Sequence, residues 1–307
     1  MKVGLALGSG SARGWAHIGV LRALAQAGVE ISCVSGTSIG SLVGGAFALA
    51  RLDDLEAFVR GLDWKQIAQF LDVTFPRSGL IDGKKLTDFF RAQARKTAIE
   101  DLRVPYCAVA TDLATGREVA LDHGDLITAI RASISVPGVF TPVKRNGRYL
   151  VDGGLVNPVP VSVARQLGAE YVIAVDLNAD TVAKRCPSPC PAVAPQQQQE
   201  ESTPPRSTWK VTHELAKRLN ELKSPALAHL RRLSGNSAEP NIFEVLTSSI
   251  NIMEAQITTS RLAADPPDLL IQPQLGQIRF LEYHRAAEAI AEGHRATVEA
   301  LQTINKG

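Results

Sequence analysis

The segment from Val29 to Leu49 constrains the fold more than any other, because an apolar run breaks at Gly36-Thr37-Ser38-Ile39-Gly40 and resumes as a helical pattern. Ile31 to Ser35 reads as a strand, and Ser41 to Leu49 as a helix. A serine between glycines at such a junction fits a G-x-S-x-G elbow. Gly36 and Gly40 would tolerate the sharp reversal that lifts the Ser38 oxygen out of the chain at a helix N-terminus. The alternative for the same residues is an ordinary turn with a capping Ser or Thr. The first reading makes the chain a serine hydrolase.

The pattern around this segment is one of alternating strands and helices. Val3 to Leu7 reads as a strand, Gly14 to Ala27 as a helix, and Tyr106 to Ala110 and Tyr171 to Val175 as buried parallel strands. These runs predict a three-layer α/β fold with a mostly parallel central sheet between helices. Asn146-Gly147 marks a tight hairpin that should deliver Asp152 at its far end. Residues 1–185 form the expected hydrolase domain. Residues 186–207, rich in Pro, Gln, Glu and Ser, read as a disordered linker or insertion.

Residues 208–307 read as a helical C-terminal extension with one strand near 268–273, packing on the same domain. Leu215, Leu219 and Leu222 fall at helical spacing, as do Phe243, Leu246, Ile250, Met253 and Ile257, and both stripes read as packing faces. Phe280 to Leu301 reads as a final amphipathic helix.

Composition narrows the function classes. With 33 basic against 31 acidic residues in 307 and no basic run, nucleic acid is an unsuited partner. The apolar start is too short for a secretory signal, and the run from Ile39 to Ala50 is too short and glycine-rich to span a bilayer. Cys33 and Cys107 fall in buried strands, and Cys186 and Cys190 lack the further ligands of a zinc site. The expectation is a cytoplasmic protein without structural disulfides, any lipid contact being peripheral at the inner membrane face.

Two more segments carry chemistry. Gly8-Ser9-Gly10-Ser11-Ala12-Arg13-Gly14 follows the first strand and opens a helix, so its backbone N–H groups should hold an anion. A dinucleotide fingerprint fails because Arg13 stands where its third glycine belongs. The oxyanion of an acyl-transfer intermediate is the preferred ligand. Arg13 is expected to fix the loop through backbone carbonyls or an acid rather than to bind a head group. The third segment, Asp152-Gly153-Gly154, is a turn by default. Its interest comes from the histidines: His17, His123, His213, His229, His284 and His294 all lack a setting that marks a catalytic base. A triad using one of the last four stays open, but an aspartate acting directly on the serine is more economical.

Taken with Trp15 to Leu21, Arg131 to Phe140 and Val151 to Pro160, these motifs resemble the patatin-like phospholipase family. The nearest likeness is to its short bacterial RssA-type, neuropathy target esterase-related members. The resemblance runs in order from residue 2 to about residue 180, and more weakly through the last sixty or so. It implies a Ser-Asp dyad with Ser38 as nucleophile and Asp152 as base. It also implies an oxyanion hole of the Gly10 and Ser11 N–H groups within the loop of Ser9, Ala12, Arg13 and Gly14, with Gly153 and Gly154 supporting the aspartate. The implied activity is a phospholipase A or lysophospholipase-like esterase, without metal or cofactor, on lipid acyl esters. Ser9 and Ser11 stand where many relatives have Gly, which restricts the loop's φ angles. A regulatory partner-binding protein on the same fold is the alternative, and oligomeric state stays open. Trp64, Ile67, Phe70, Leu71, Val73 and Phe75 suggest an apolar flap over Ser38, or else an ordinary core helix. Thr111 and Asp112 are expected to serve turn geometry at the rim.

Overall fold

The computed structural model describes residues 1–63, 91, 97–180 and 242–304. The flap candidates, Cys186, Cys190, His213, His229, the linker and the stripe from Leu215 to Leu222 lie outside them. Within them the strands are β1 (Val3–Leu7), β2 (Ile31–Thr37), β3 (Tyr106–Asp112), β4 (Glu118–Leu121), β5 (Val143–Arg145), β6 (Arg148–Asp152), β7 (Tyr171–Val175) and β8 (Leu269–Ile271). They form one sheet of order β5-β6-β3-β2-β1-β7-β8, with β4 also on β3. From β3 to β8 the neighbours are parallel, whereas β4, β6 and β5 are joined antiparallel.

Alternation along β1 divides the core into two layers. Leu5 and Leu7 enter the large cluster with helices α1 (Ala16–Gln26), α2 (Ile39–Ala48), α3 (Leu52–Arg60) and α4 (Leu126–Ser133), while Ala6 faces the opposite cluster. There it meets α5 (Val161–Gln166) through Val161 and Ala164, with Leu262 of α6 (Ile242–Ala264) beside them. Helices thus cover both faces, as a parallel sheet requires. The last helix, α7 (Ala286–Ile304), packs on α1. Their backbones approach so closely that a Cβ on Gly19 would lie 1.9 Å from the Ile290 carbonyl oxygen.

Local patterns set most boundaries. The Asn146-Gly147 turn, both residues at positive φ, joins β5 to β6 and leaves Asp152 at the end of β6. Asp125 caps α4 by accepting from the Thr128 N–H at 2.7 Å. Three expectations need correction. The helix expected from Gly14 starts as a 3-10 turn over Ser11–Trp15 and becomes α-helical at Ala16. The helix expected from Phe280 starts at Ala286, because the carbonyls of Phe280 and Tyr283 serve other donors. Phe280 accepts from the Ala12 N–H and the Ser11 hydroxyl, and Tyr283 from the Trp15 indole. Finally, the apolar stripe on α6 is only in part its packing face: Ile250 is buried, but Leu246 and Met253 are exposed, and Thr247, Glu254 and Thr258 are buried instead.

Candidate active site

The carboxyl ends of the parallel strands are where an open α/β sheet places its ligands. Here β1 delivers the glycine loop, β2 the elbow, and β7 a turn carrying Asp176 and Asn178. The antiparallel β6 brings Asp152 alongside Ala110, near the same end of β3.

Ser38 sits between β2 and α2 at φ 55° and ψ −126°, a conformation that an L-residue holds only when its surroundings force it. The close turn explains both flanking glycines. A Cβ on Gly40 would lie 2.2 Å from the Leu7 carbonyl oxygen, and one on Gly36 would lie 2.5 Å from that of Gly40. The backbone is held by Ser133, whose Oγ accepts from the Ser38 N–H at 2.9 Å and donates to the Val109 carbonyl at 2.5 Å. The Ser38 N–H is therefore occupied within the protein.

The Ser38 hydroxyl donates to Asp152 Oδ2 at 2.6 Å, and the Gly154 N–H donates to Asp152 Oδ1 at 2.7 Å. Thr111 Oγ1 donates to the Asp152 carbonyl at 2.7 Å, so this rim residue fixes the backbone that carries the carboxylate. Asp112 accepts from the Ala114 N–H in the turn after β3, the duty expected of it. Burial pushes the Asp152 carboxyl up to about 8, Glu254 adds repulsion, and the Ser38 and Gly154 hydrogen bonds work against both. A carboxylate so placed is a far better proton acceptor than one in water.

The glycine loop supplies the opposite charge. Gly8 N–H donates to Val175, Ser9 N–H to Pro158, Ala12 N–H to Phe280 and Arg13 N–H to Gly10. Among the described residues the N–H groups of Gly10 and Ser11 meet no acceptor, and both residues line a cavity with Ser38 and Asp152. Arg13 Nε donates to the Gly10 carbonyl at 3.1 Å and Nη2 to Asn251 Oδ1 at 3.1 Å, so it braces the loop as expected. Gly14 is buried where the loop meets Ile39, and Gly153 opens the 3-10 turn Gly153–Leu155 after Asp152.

The two serines that replace glycine are held from the far end of the chain. Ser11 takes φ 52°, and its hydroxyl donates to the Phe280 carbonyl at 2.7 Å and lies 2.8 Å from the Tyr283 hydroxyl. Ser9 Oγ donates to Glu254 Oε2 at 3.0 Å. His17, fully buried, is driven down to about 4 by desolvation and is neutral near neutral pH. Its Nε2–H then donates to the Gly8 carbonyl at 2.8 Å, so the ring props the loop.

The cavity holds about 310 Å³, its open mouth included. Val136, Pro137, Leu155, Ile250 and Phe280 give it apolar walls, while Asp152, Glu254 and Asn251 are its polar groups beside the loop and Ser38. Glu254 was not singled out by sequence reasoning. The available signal was a polar series at helical spacing, Thr247, Asn251, Glu254 and Thr258, within a helix read for its apolar stripe. His294 pairs with Gln26 at the end of α1, and no histidine bonds Ser38 or Asp152 among the described residues. Among those residues no cluster of metal-ligating side chains occurs, and no helix is long and apolar enough to cross a membrane.

Comparison with known proteins shows the family of the chain. Residues 5–165 match the family model described as patatin-like phospholipase. Uncharacterized NTE family proteins of Mycobacterium bovis and Mycobacterium tuberculosis are 35% identical over 99% of this chain and 92% of theirs. A patatin-like phospholipase domain-containing protein of Caenorhabditis elegans is 39% identical over 57% of this chain and 14% of its own length. Among solved structures, VipD from Legionella pneumophila aligns with a TM-score of 0.48 and 12% identity over 98% of this chain and 66% of its own.

Proposed function

The chain belongs to the patatin-like phospholipase family, and from that premise we propose that it is a serine lipid acyl hydrolase working through Ser38 and Asp152. The single observation that carries this reading is the 2.6 Å hydrogen bond from the Ser38 hydroxyl to Asp152, beside two amides with no acceptor among the described residues. The elbow conformation of Ser38 and the apolar cavity walls support it.

In the proposed reaction, Ser38 Oγ attacks the ester carbonyl carbon as its proton passes to Asp152 Oδ2. The carbonyl oxygen becomes an oxyanion received by the Gly10 and Ser11 N–H groups, each such donor being worth about 2.7–4 kcal/mol in the transition state. Collapse of the tetrahedral intermediate breaks the ester C–O bond, and the leaving alkoxide takes the proton from Asp152. An acyl ester on Ser38 remains. Water then attacks that ester, again giving its proton to Asp152, and the fatty acid leaves as Ser38 recovers its hydrogen. The acyl chain lies along Val136, Leu155, Ile250 and Phe280. In this reading the catalytic unit combines Gly10, Ser11, Ser38 and Asp152 with the C-terminal region, which contributes Ile250, Asn251, Glu254 and Phe280 to the cavity.

The test is incubation with a mixed lipid extract and identification of the fatty acids released. The wild-type chain should release them and a folded Ser38→Ala variant should not. Equal release by both would end the proposal.

A further inference from the structure

The reaction above makes no use of Glu254, yet this carboxylate is 7% exposed in the wall of the cavity. Burying a carboxylate is costly unless its oxygens find partners. Its Oε2 accepts from Ser9 Oγ at 3.0 Å and from Asn178 Nδ2 at 3.1 Å. Its Oε1 has no hydrogen-bond partner among the described residues. That oxygen lies beside Asp152: the point a methyl on Gly154 would occupy is 2.0 Å from Glu254 Oε1 and 3.1 Å from Asp152 Oδ1. The glycine leaves room for two carboxylates to face each other.

We propose that Glu254 is a positioning residue for the Ser38–Asp152 reaction, anchoring the glycine loop through Ser9 and supplying the negative charge against which Asp152 takes the serine proton. The inference rests on the serine–aspartate reading and goes beyond it. An aspartate in water is a weak base toward a hydroxyl. Desolvation is the first remedy, and a second carboxylate at short range is another, since two like charges raise each other's proton affinity. Glu254 is itself raised to about 7, chiefly by burial, so both carboxyls change charge near neutrality, where the charge of one bears on the other.

The other charged and titratable groups facing the pair come from three elements. Arg13 of the loop lowers the proton affinity of Glu254, and Asp176 after β7 raises it. Tyr283 faces Asp152 while its hydroxyl meets Ser11. The charge that adds to desolvation in raising Asp152 is that of Glu254. A plain structural anchor for Ser9 would need only an acceptor, which a glutamine side chain supplies equally well.

That difference defines the experiment, a pH profile of kcat/KM from pH 5 to 9 with p-nitrophenyl butyrate and the full chain. In Glu254→Gln the hydrogen bonds remain and the charge goes. Its acidic limb should move down by about one pH unit, and its high-pH plateau should fall roughly threefold as the base weakens. Ser9→Ala keeps the charge and loses the anchor, so its plateau should fall with the limb unmoved. A limb in Glu254→Gln that coincides with wild type overturns the proposal. Should that variant fail to fold, Glu254→Met removes the charge with apolar packing and is read the same way. Carbon-13 NMR of the wild-type chain adds a check free of variants: two carboxyl carbons should titrate together near neutrality, and one alone overturns the coupling. Ester turnover that survives Ser38→Ala would instead refute the serine–aspartate reading itself.

Discussion

Replacing Asp152 by Asn should stabilise the fold while ending turnover, and the gain should depend on pH. Asp152 is 3% exposed, and its two hydrogen bonds are both ones that an asparagine keeps. Its Oδ1 can accept from the Gly154 N–H, and its Nδ2 can donate to Ser38 Oγ. What changes is the charge. The carboxyl is raised from 3.8 to about 8 in the folded state, so between these values the native chain binds more protons than the unfolded one. Stability contributed by this site is then full below pH 3.8, falls as pH rises through the window, and is flat above about pH 8. At about 1.4 kcal/mol per pH unit the ceiling on the loss is about 6 kcal/mol, and relaxation around the charge reduces it. Asp152→Asn should therefore exceed wild type by about 2–5 kcal/mol at pH 9 and by little at pH 4. Urea unfolding at pH 4, 6.5 and 9 measures this, provided the m-values agree. A difference that stays constant across pH, or a wild type more stable at pH 9, would refute the reasoning.

Other predictions follow from single contacts. Ser133→Ala removes the acceptor of the Ser38 N–H and a donor to the Val109 carbonyl. It should cost about 1–3 kcal/mol in urea unfolding and lower kcat much more than it raises KM. Nitrogen-15 NMR should show His17 as the neutral Nε2–H tautomer at pH 5.5, because burial holds it down to about 4; an imidazolium there would contradict the loop geometry. Gly19→Ala places a methyl 1.9 Å from the Ile290 carbonyl oxygen, which is backbone and cannot swing aside. It should destabilise by about 1–3 kcal/mol or more, read as a lowered Tm, with the chemistry at Ser38 intact in the folded fraction.

The parts of this molecule legible in the sequence are those whose cause is local. The strand–turn–helix around Ser38 announces itself because glycines must flank a reversal this tight. Asn146-Gly147 likewise forecasts the hairpin that ends at Asp152, and the apolar runs of β3 and β7 forecast buried strands. The rest depends on partners far along the chain. Ser9 and Ser11 looked like departures from a glycine pattern, yet their hydroxyls reach Glu254 and Phe280, more than 240 positions away. Contacts from Ser11, Ala12 and Trp15 likewise draw the Phe280 and Tyr283 carbonyls away from a helical ladder, which is why α7 starts at Ala286 rather than at Phe280. On α6 the apolar spacing found Ile250 but not the buried Thr247, Glu254 and Thr258, because the helix also turns polar side chains inward. No periodicity rule distinguishes a buried acid from a solvated one when its partners lie elsewhere in sequence.

The central claim is that Asp152 activates the Ser38 hydroxyl. Intact-protein mass spectrometry during exposure to a fluorophosphonate follows that activation without any assumption about the lipid. Wild type should gain one adduct, on the peptide holding Gly36 to Gly40, while Ser38→Ala gains none and Asp152→Asn reacts at least about a hundredfold more slowly. Labelling of Asp152→Asn at the wild-type rate, or an adduct on a different residue, would contradict the account.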